Sequence, residues 1–499
     1  MEVKFIKKTL KCLRPFFSQI HTQEQTQEIR LPDAYPDIGK ILGCWGQVLM
    51  RGKEWRTTSM GANGGIMSWV MYAPEDGTQP RVVDVWIPMQ CRWDFPENAD
   101  DGVMVLRPIL TNLDGRGISA RKIMVRACVD TFAQAMRKET MEVPAPAQVP
   151  EDLQLLTRSY PMELPVEAGE KQVQMEENLS MPGNLPPIHK IIHYNMSPSI
   201  IEQKVLGNRL VFRGQNRVDM MYMTEDGSVN QWETEVPFSQ YTELDNDYGP
   251  NASAWIMPIL TAMEMDLGEE QQLNIRAGIA AQYTIFDRSV LDVVEDAFSP
   301  TRDVTPKIEE MQFPVLLDSI AMEMQAEGTL NEDAERILSA SSYGKYPTIY
   351  MGNDGMQIRM DGQFQTLYQN AEGQMAGDGM RFNSSVPFSS AMENQTYLWM
   401  GSSAKPEISP NGDGFSVRST YPVTVQVYSG QTIPVVTELE IGEQRQPDPD
   451  RPSIILRRAG EEGLWAIAKG CGSTVAAIQE ANQLTGEPEH GQMLLIPIC

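Results

Sequence analysis

The sequence predicts a mainly β protein: three tandem all-β, sandwich-like domains followed by a small βααβ module. Three observations carry this expectation. Short motifs recur at one fixed displacement of about a domain's length, the segments around them alternate apolar and polar residues, and the composition changes ahead of the C-terminal stretch 453–499.

The displacement comes first. "PILT" stands at 108–111 and again at 258–261, 150 residues on. With the same offset, Pro32, Pro36, Ile38, Lys40 and Ile41 of "LPDAYPDIGKIL" meet Pro182, Pro186, Ile188, Lys190 and Ile191 of "MPGNLPPIHKII". Tyr72, Glu75, Asp76 and Gly77 meet Tyr222, Glu225, Asp226 and Gly227, and Arg126-Ala127 meets Arg276-Ala277. Four islands in one register indicate a duplicated domain, and the period is too long for a solenoid. A third, diverged copy is marked by "YQNAEG" at 368–373 and by "VPFS" at 386–389, which repeats 236–239. The copies are expected at 21–145, 171–300 and 320–443.

The elements follow in order. The segment 1–20 is basic, with Lys7, Lys8 and Lys11 interrupting its apolar residues, and its spacing allows a short amphipathic helix. Pro32, Pro36 and their counterparts suit an extended lead-in, since proline cannot donate to a sheet ladder. "GANGG" at 61–65 lacks the spacing of a phosphate loop and reads as a hairpin tip. Asp76-Gly77 and Asp226-Gly227 lie between alternating runs, where glycine supplies the positive φ of a tight turn. Ile123, Val125, Ala127 and Val129 share one face of a strand; Leu273, Ile275, Ala277 and Ile279 do so in copy two, and Val423, Val425 and Val427 in copy three. Each copy, at about 110–130 residues, is large enough for a core of its own. "EQRQPDPDRP" at 443–452 alternates proline with charge and reads as a linker over 444–452.

A net charge of −26 argues against non-specific nucleic-acid binding and against an anionic membrane surface. No stretch approaches the ~18 uninterrupted apolar residues of a membrane span. The N-terminus lacks the apolar run of a signal peptide, and the six cysteines include no CxxC pair, so reduced thiols are the default. No catalytic constellation, metal site or cofactor motif is expected. His189 and His193 in "HKIIH" have Lys190 where a zinc-protease helix carries glutamate. "NDG" at 353–355 and "NGDG" at 411–414 lack a calcium loop's distal glutamate and read as turns. The 31 methionines suit core packing or an adaptable interface.

In 453–499 a short strand precedes Leu464, Ile467, Ala468 and Cys471 at helical spacing; Gly470 and Gly472 break that helix, Thr474 caps a second, and "MLLIPI" closes as a strand. Leu464-Trp465 with "AIAK", Thr474-Val475, Ala481-Asn482 with Leu484, and Gly491-Gln492 with "LLIP" resemble a LysM module. The resemblance implies a groove between Glu461, Glu462, Gly463 and Leu464 on one side and Asn482, Gln483, Leu484 and Thr485 on the other, with Trp465 in the module's core. Where the family carries Gly-Asp-Thr or Gly-Asp-Ser, this chain has Glu461-Glu462-Gly463, which removes a hydroxyl and adds a carboxylate at the rim.

Three β copies opening on "LP…P.I.KIL" and ending in a LysM resemble the SipL-type spore morphogenetic proteins, built from SPOCS domains. That resemblance implies a non-catalytic adaptor, cytoplasmic on the mother-cell side of the forespore, tethering the coat basement-layer ATPase to the forespore surface, with unpaired sheet edges open to self-association. The alternative is a cell-wall or spore-cortex protein whose groove holds peptidoglycan or N-acetylglucosamine oligomers.

Overall fold

The computed structural model describes residues 5–146, 149–330, 334–353, 355–412, 414–446 and 452–498. The architecture is mainly β, in several antiparallel sheets. The expected linker falls largely outside these residues, at 447–451, as do Asp354 and Asp413 of the two turn motifs.

The first unit comprises β1 (Phe5–Arg30), β2 (Ile38–Arg56), β3 (Ser59–Pro74), β4 (Arg81–Asp94), β5 (Gly102–Ser119) and β6 (Lys122–Pro146). Its sheets are β1-β6-β5 and β2-β3-β4. The second unit comprises β7 (Gln154–Ser180), β8 (Lys190–Met223), β9 (Val229–Tyr248), β10 (Ser253–Leu267) and β11 (Gln272–Phe298), with sheets β10-β11-β7 and β8-β9. β8 doubles back at Gly207, whose φ of 61° permits the tight turn, so that the Ser199 hydroxyl on one arm donates to Gln215 O on the other. Its two arms therefore stand where β2 and β3 stand in the first unit.

The third unit comprises β12 (Arg302–Gln312), β13 (Leu316–Leu330), β14 (Ala334–Gly344), β15 (Thr348–Gly352), β16 (Gly355–Asn370), β17 (Met375–Pro387), β18 (Gln395–Met400), β19 (Glu407–Asn411), β20 (Gly414–Tyr428) and β21 (Thr432–Gln444). The sheet β13-β20-β18 takes the place of β1-β6-β5 and β7-β11-β10 in the other two units. Here the long ladder is broken in two, β12 pairing β21 and β13 pairing β20. The chain closes with β22 (Ile454–Arg458), α1 (Leu464–Cys471), α2 (Val475–Asn482) and β23 (Met493–Pro497), in which β22 pairs β23 antiparallel.

The repeated motifs have specific jobs. Tyr72 and Tyr222 are fully buried, and their hydroxyls donate to the carbonyls of Pro36 (2.9 Å) and Pro186 (3.2 Å), pinning each proline lead-in to its sheet. In "PILT" the threonine is the extra residue of a β-bulge: the register steps from Leu110 to Asn112 against β6, and from Leu260 to Ala262 against β11. Gly77 (φ 72°) and Gly227 (φ 87°) take the positive-φ places in their turns.

Three expectations are corrected. Residues 5–20 are not helical; they form the outer half of β1 and pair with β6 from Phe5↔Pro146 to Ile20↔Phe132. Pairing and burial override a spacing that would fit a helix, for Cys12 and Leu13 are buried and the lysines face outward. The boundaries at 21, 171 and 320 fall inside β1, β7 and β13, and the third unit already begins at β12, because each unit starts earlier than its recognisable motif. "GANGG" is no hairpin tip but the interior of β3. A Cβ on Gly65 would run into both the Trp86 ring and the backbone oxygen of Ile87, so glycine is what lets β4 and its indole, with Arg51 stacked on it at 4.2 Å, lie so close across the strand.

The units also do not keep separate cores. One buried cluster joins Ile66 and Val125 of the first unit to Met257 and Ile259 of the second and Phe364 and Trp399 of the third. Another joins Trp45 and Trp69 to Met220, Tyr222 and Leu338. The outer ends of the three long ladders meet in a third cluster that includes Cys12, Met141, Met162, Leu291, Phe313 and Val435. This last contact explains the length of the first strands: their outer halves exist to reach one another.

Candidate functional site

In the C-terminal βααβ module, helix α1 starts at Gly463, which offers no capping side chain. Glu487 supplies the cap from the opposite loop, its carboxylate accepting the Leu464 N–H at 2.7 Å. The contact ties the expected groove stretch 461–464 to a residue just past the other, 482–485. Gly472, at φ 67°, ends α1; Thr474 caps α2 by accepting the Ala477 N–H at 3.1 Å; Gln483, at φ 55°, ends α2. Leu464, Ile467, Ala468, Ile478, Leu494 and Ile496 form the core.

The eight expected groove residues divide by environment. Leu464 is buried and Leu484 packs against the same core, so both point inward. Asn482 is a staple between α2 and β23: its side-chain amide donates to Ile478 O (2.8 Å) and Leu495 O (2.6 Å), and its oxygen accepts the Leu495 N–H at 2.7 Å. Glu462 accepts from Arg457 at 2.6 Å. Glu461, Gly463, Gln483 and Thr485 are exposed at the rims.

Trp465 lies at a seam rather than inside the module. Its ring meets Phe298 of β11 edge-on with centroids 4.8 Å apart, and its indole N–H donates to Asp296 at 2.8 Å. Lys469 reaches the same carboxylate at 2.7 Å, so Asp296 docks the module against the second unit through two contacts from one helix face.

The most prominent feature lies elsewhere. Ile454, Leu456, Met493 and Leu495 are 58%, 66%, 51% and 42% exposed. Leu456 stands opposite Leu495 in the ladder, so the four form one apolar face on the outside of the two-stranded sheet, with Arg458 at its end. Residue reasoning missed this face, although its signal was present. In "IIL" and "MLLIP" apolar residues run without alternation, and a two-stranded sheet that covers a core with one face must then show apolar residues on the other.

The two histidines of "HKIIH" lie in different environments. His193 is buried and stacked on Trp45, with centroids 4.6 Å apart and planes at 15°, and burial holds it neutral by pulling its pKa down to about 3. His189, by contrast, is exposed. Among the described residues no three His, Cys, Asp or Glu side chains gather as a metal-ligand set, no disulfide forms, and no helix is long and apolar enough to cross a membrane.

The family model described as "SipL, SPOCS domain" matches residues 187–260. The match covers both arms of β8, all of β9 and β10 as far as the proline-isoleucine-leucine strand. No curated protein and no solved structure matches the chain. Residues 187–260, the doubled hairpin and proline strand of the second unit, are therefore similar to the SPOCS domain of SipL.

Proposed function

We propose that the protein is a non-catalytic adaptor of endospore coat assembly, which tethers the coat basement-layer ATPase to the forespore surface. In this reading the three β units are SPOCS domains that supply localisation, and the C-terminal module is a LysM domain that captures the partner. The similarity of 187–260 to the SPOCS domain of SipL supports sporulation as the process. The observation that carries partner capture is the exposed face of Ile454, Leu456, Met493 and Leu495, which no other segment among the described residues covers. Apolar side chains grouped in this way are typical of interaction surfaces. The rims at Glu461, Gln483 and Thr485 are polar and carry an added carboxylate, which suits a protein edge better than a neutral sugar chain.

The test is capture of the coat ATPase from sporulating cells by the full chain, beside a Leu456→Glu/Leu495→Glu double variant. Both positions are solvent-facing, so neither change buries a charge, and circular dichroism checks that the sheet withstands two carboxylates set opposite each other. Loss of capture in the variant, with the fold intact by circular dichroism, supports the reading. Binding of both forms to insoluble peptidoglycan, with no ATPase retained by either, would replace it with glycan binding through the rims.

A further inference from the structure

The three units converge on a cavity of about 210 Å³ whose wall comes from all of them. Its charged lining is Arg107 from β5, Arg217 and Asp219 from β8, and Lys405 from the third unit. A second cavity of about 330 Å³ shares Arg107, Ser197, Arg217 and Ser402 with the first. Three of the four cations and anions facing the first cavity are accounted for as pairs: Arg217 Nε donates to Asp219 at 3.1 Å, and Lys405 reaches Glu233, outside the wall, at 3.0 Å.

Arg107 has no such partner. It is 8% exposed, and its guanidinium donates to Met400 O (2.6 Å), Ser402 Oγ (3.3 Å) and Pro258 O (3.5 Å), all neutral acceptors. Among the described residues no carboxylate lies within ion-pair distance of it. Burial pulls its pKa down only to about 10, so it keeps its charge at neutral pH. A buried guanidinium that lacks a counter-charge is costly, and such groups are ordinarily paired. The planar fork matches a two-oxygen anion better than any other ligand class.

We propose that this junction is a binding site for a small oxyanion, a phosphate or a short carboxylate, held by Arg107 with the Ser402 hydroxyl and Arg217 beside it. The three groups come from the three different units. An occupied site therefore ties the units together, and ligand binding is linked to the stability of the whole core. The site stands independently of the adaptor reading, since none of these residues lies in the C-terminal module.

The experiment uses the full chain at constant ionic strength, exchanging chloride for inorganic phosphate in one arm and for acetate in the other. Melting temperature is read in both arms, and the phosphorus NMR line width of phosphate in the first. The expected result is a saturable rise in melting temperature with at least one oxyanion; saturation by phosphate alone or by acetate alone identifies the source. Arg107→Met should weaken the affinity on the order of tenfold or more, the loss expected for a charge-assisted hydrogen-bonded contact. If Arg107→Met does not fold, Ser402→Ala and Arg217→Gln serve in its place, each weakening the affinity with the circular dichroism unchanged. A rise that stays linear in both arms, or a saturation curve that none of the folded variants alters, would overturn the proposal.

Discussion

At the scale of single residues, the repeated tyrosine and proline make a testable pair. Tyr222 is fully buried and its hydroxyl has the Pro186 carbonyl as acceptor, so Tyr222→Phe should cost about 1 kcal/mol, the usual net worth of such a bond, with the denaturant m-value unchanged. A cost indistinguishable from zero would mean that the lead-in is held by packing alone. The glycines of β3 make a second, internally controlled test. A Cβ at Gly61 meets nothing nearer than Cys91 O at 3.6 Å, whereas one at Gly65 runs into Trp86, so Gly61→Ala should be neutral or stabilising and Gly65→Ala should cost about 1–3 kcal/mol. Equal effects in urea titrations would remove the close approach of Trp86 and the Ile87 carbonyl from the explanation. Both tests concern features half legible in the sequence: the motifs were visible, but their partners lie 36 and 21 residues away and could not be read from local pattern.

At the scale of elements, the turn that leads from the second unit into the third is gathered by one carboxylate. Asp152 accepts from Ser299 (3.0 Å), Thr301 (2.6 Å) and Arg302 (3.0 Å), gathering the start of β7 and the turn from β11 to β12. The Thr301 hydroxyl first, with Ser299 and Arg302 behind it, holds its pKa below the ordinary 3.8. A depressed carboxyl stabilises the fold above its unfolded value and loses that contribution as pH falls through its folded value. The gap in melting temperature between the native chain and Asp152→Asn should therefore be widest near neutrality and close below about pH 4. A gap that stays constant into acid would assign the stabilisation to packing. The strands themselves were readable where one face packs within its own unit, as in Ile123, Val125, Ala127 and Val129, because that packing leaves an uninterrupted period of two. The outer halves of β1, β7 and β12 were not, since their inward faces are set by other units and carry charged or small residues between the contacts. The module's order of strand, two helices and strand was legible from caps and glycines, but its groove was less so: Leu464 and Asn482 are claimed by core and staple, and Glu487, which caps α1, sits beyond any local capping motif.

At the scale of the whole molecule, the shared cores decide how the chain unfolds. A repeat whose units owned their cores would melt in several steps. Here the clusters around Ile66, Val125, Phe364 and Trp399, and around Trp45, Tyr222 and Leu338, each draw on more than one unit. Polar contacts cross the same seams: Gln282 of the second unit exchanges two bonds with the backbone of Leu106 in the first, at 2.9 and 2.8 Å, as a strand neighbour would, and Asp130 of the first accepts the Tyr346 N–H of the third at 3.1 Å. Removing one unit would strip apolar surface from the other two and leave these groups unpaired, at a cost comparable with the entire stability of a domain. Residues 5–446 should therefore give one calorimetric transition with calorimetric and van't Hoff enthalpies in agreement, and the isolated second unit, 154–298, should not fold. The C-terminal module has its own core and touches the rest mainly through Asp296 and Phe298, so it should melt separately and survive Asp296→Ala with its helices intact. Three resolved transitions within 5–446, or a folded 154–298, would show that the units are joined in sequence only and that the clusters between them contribute little to stability.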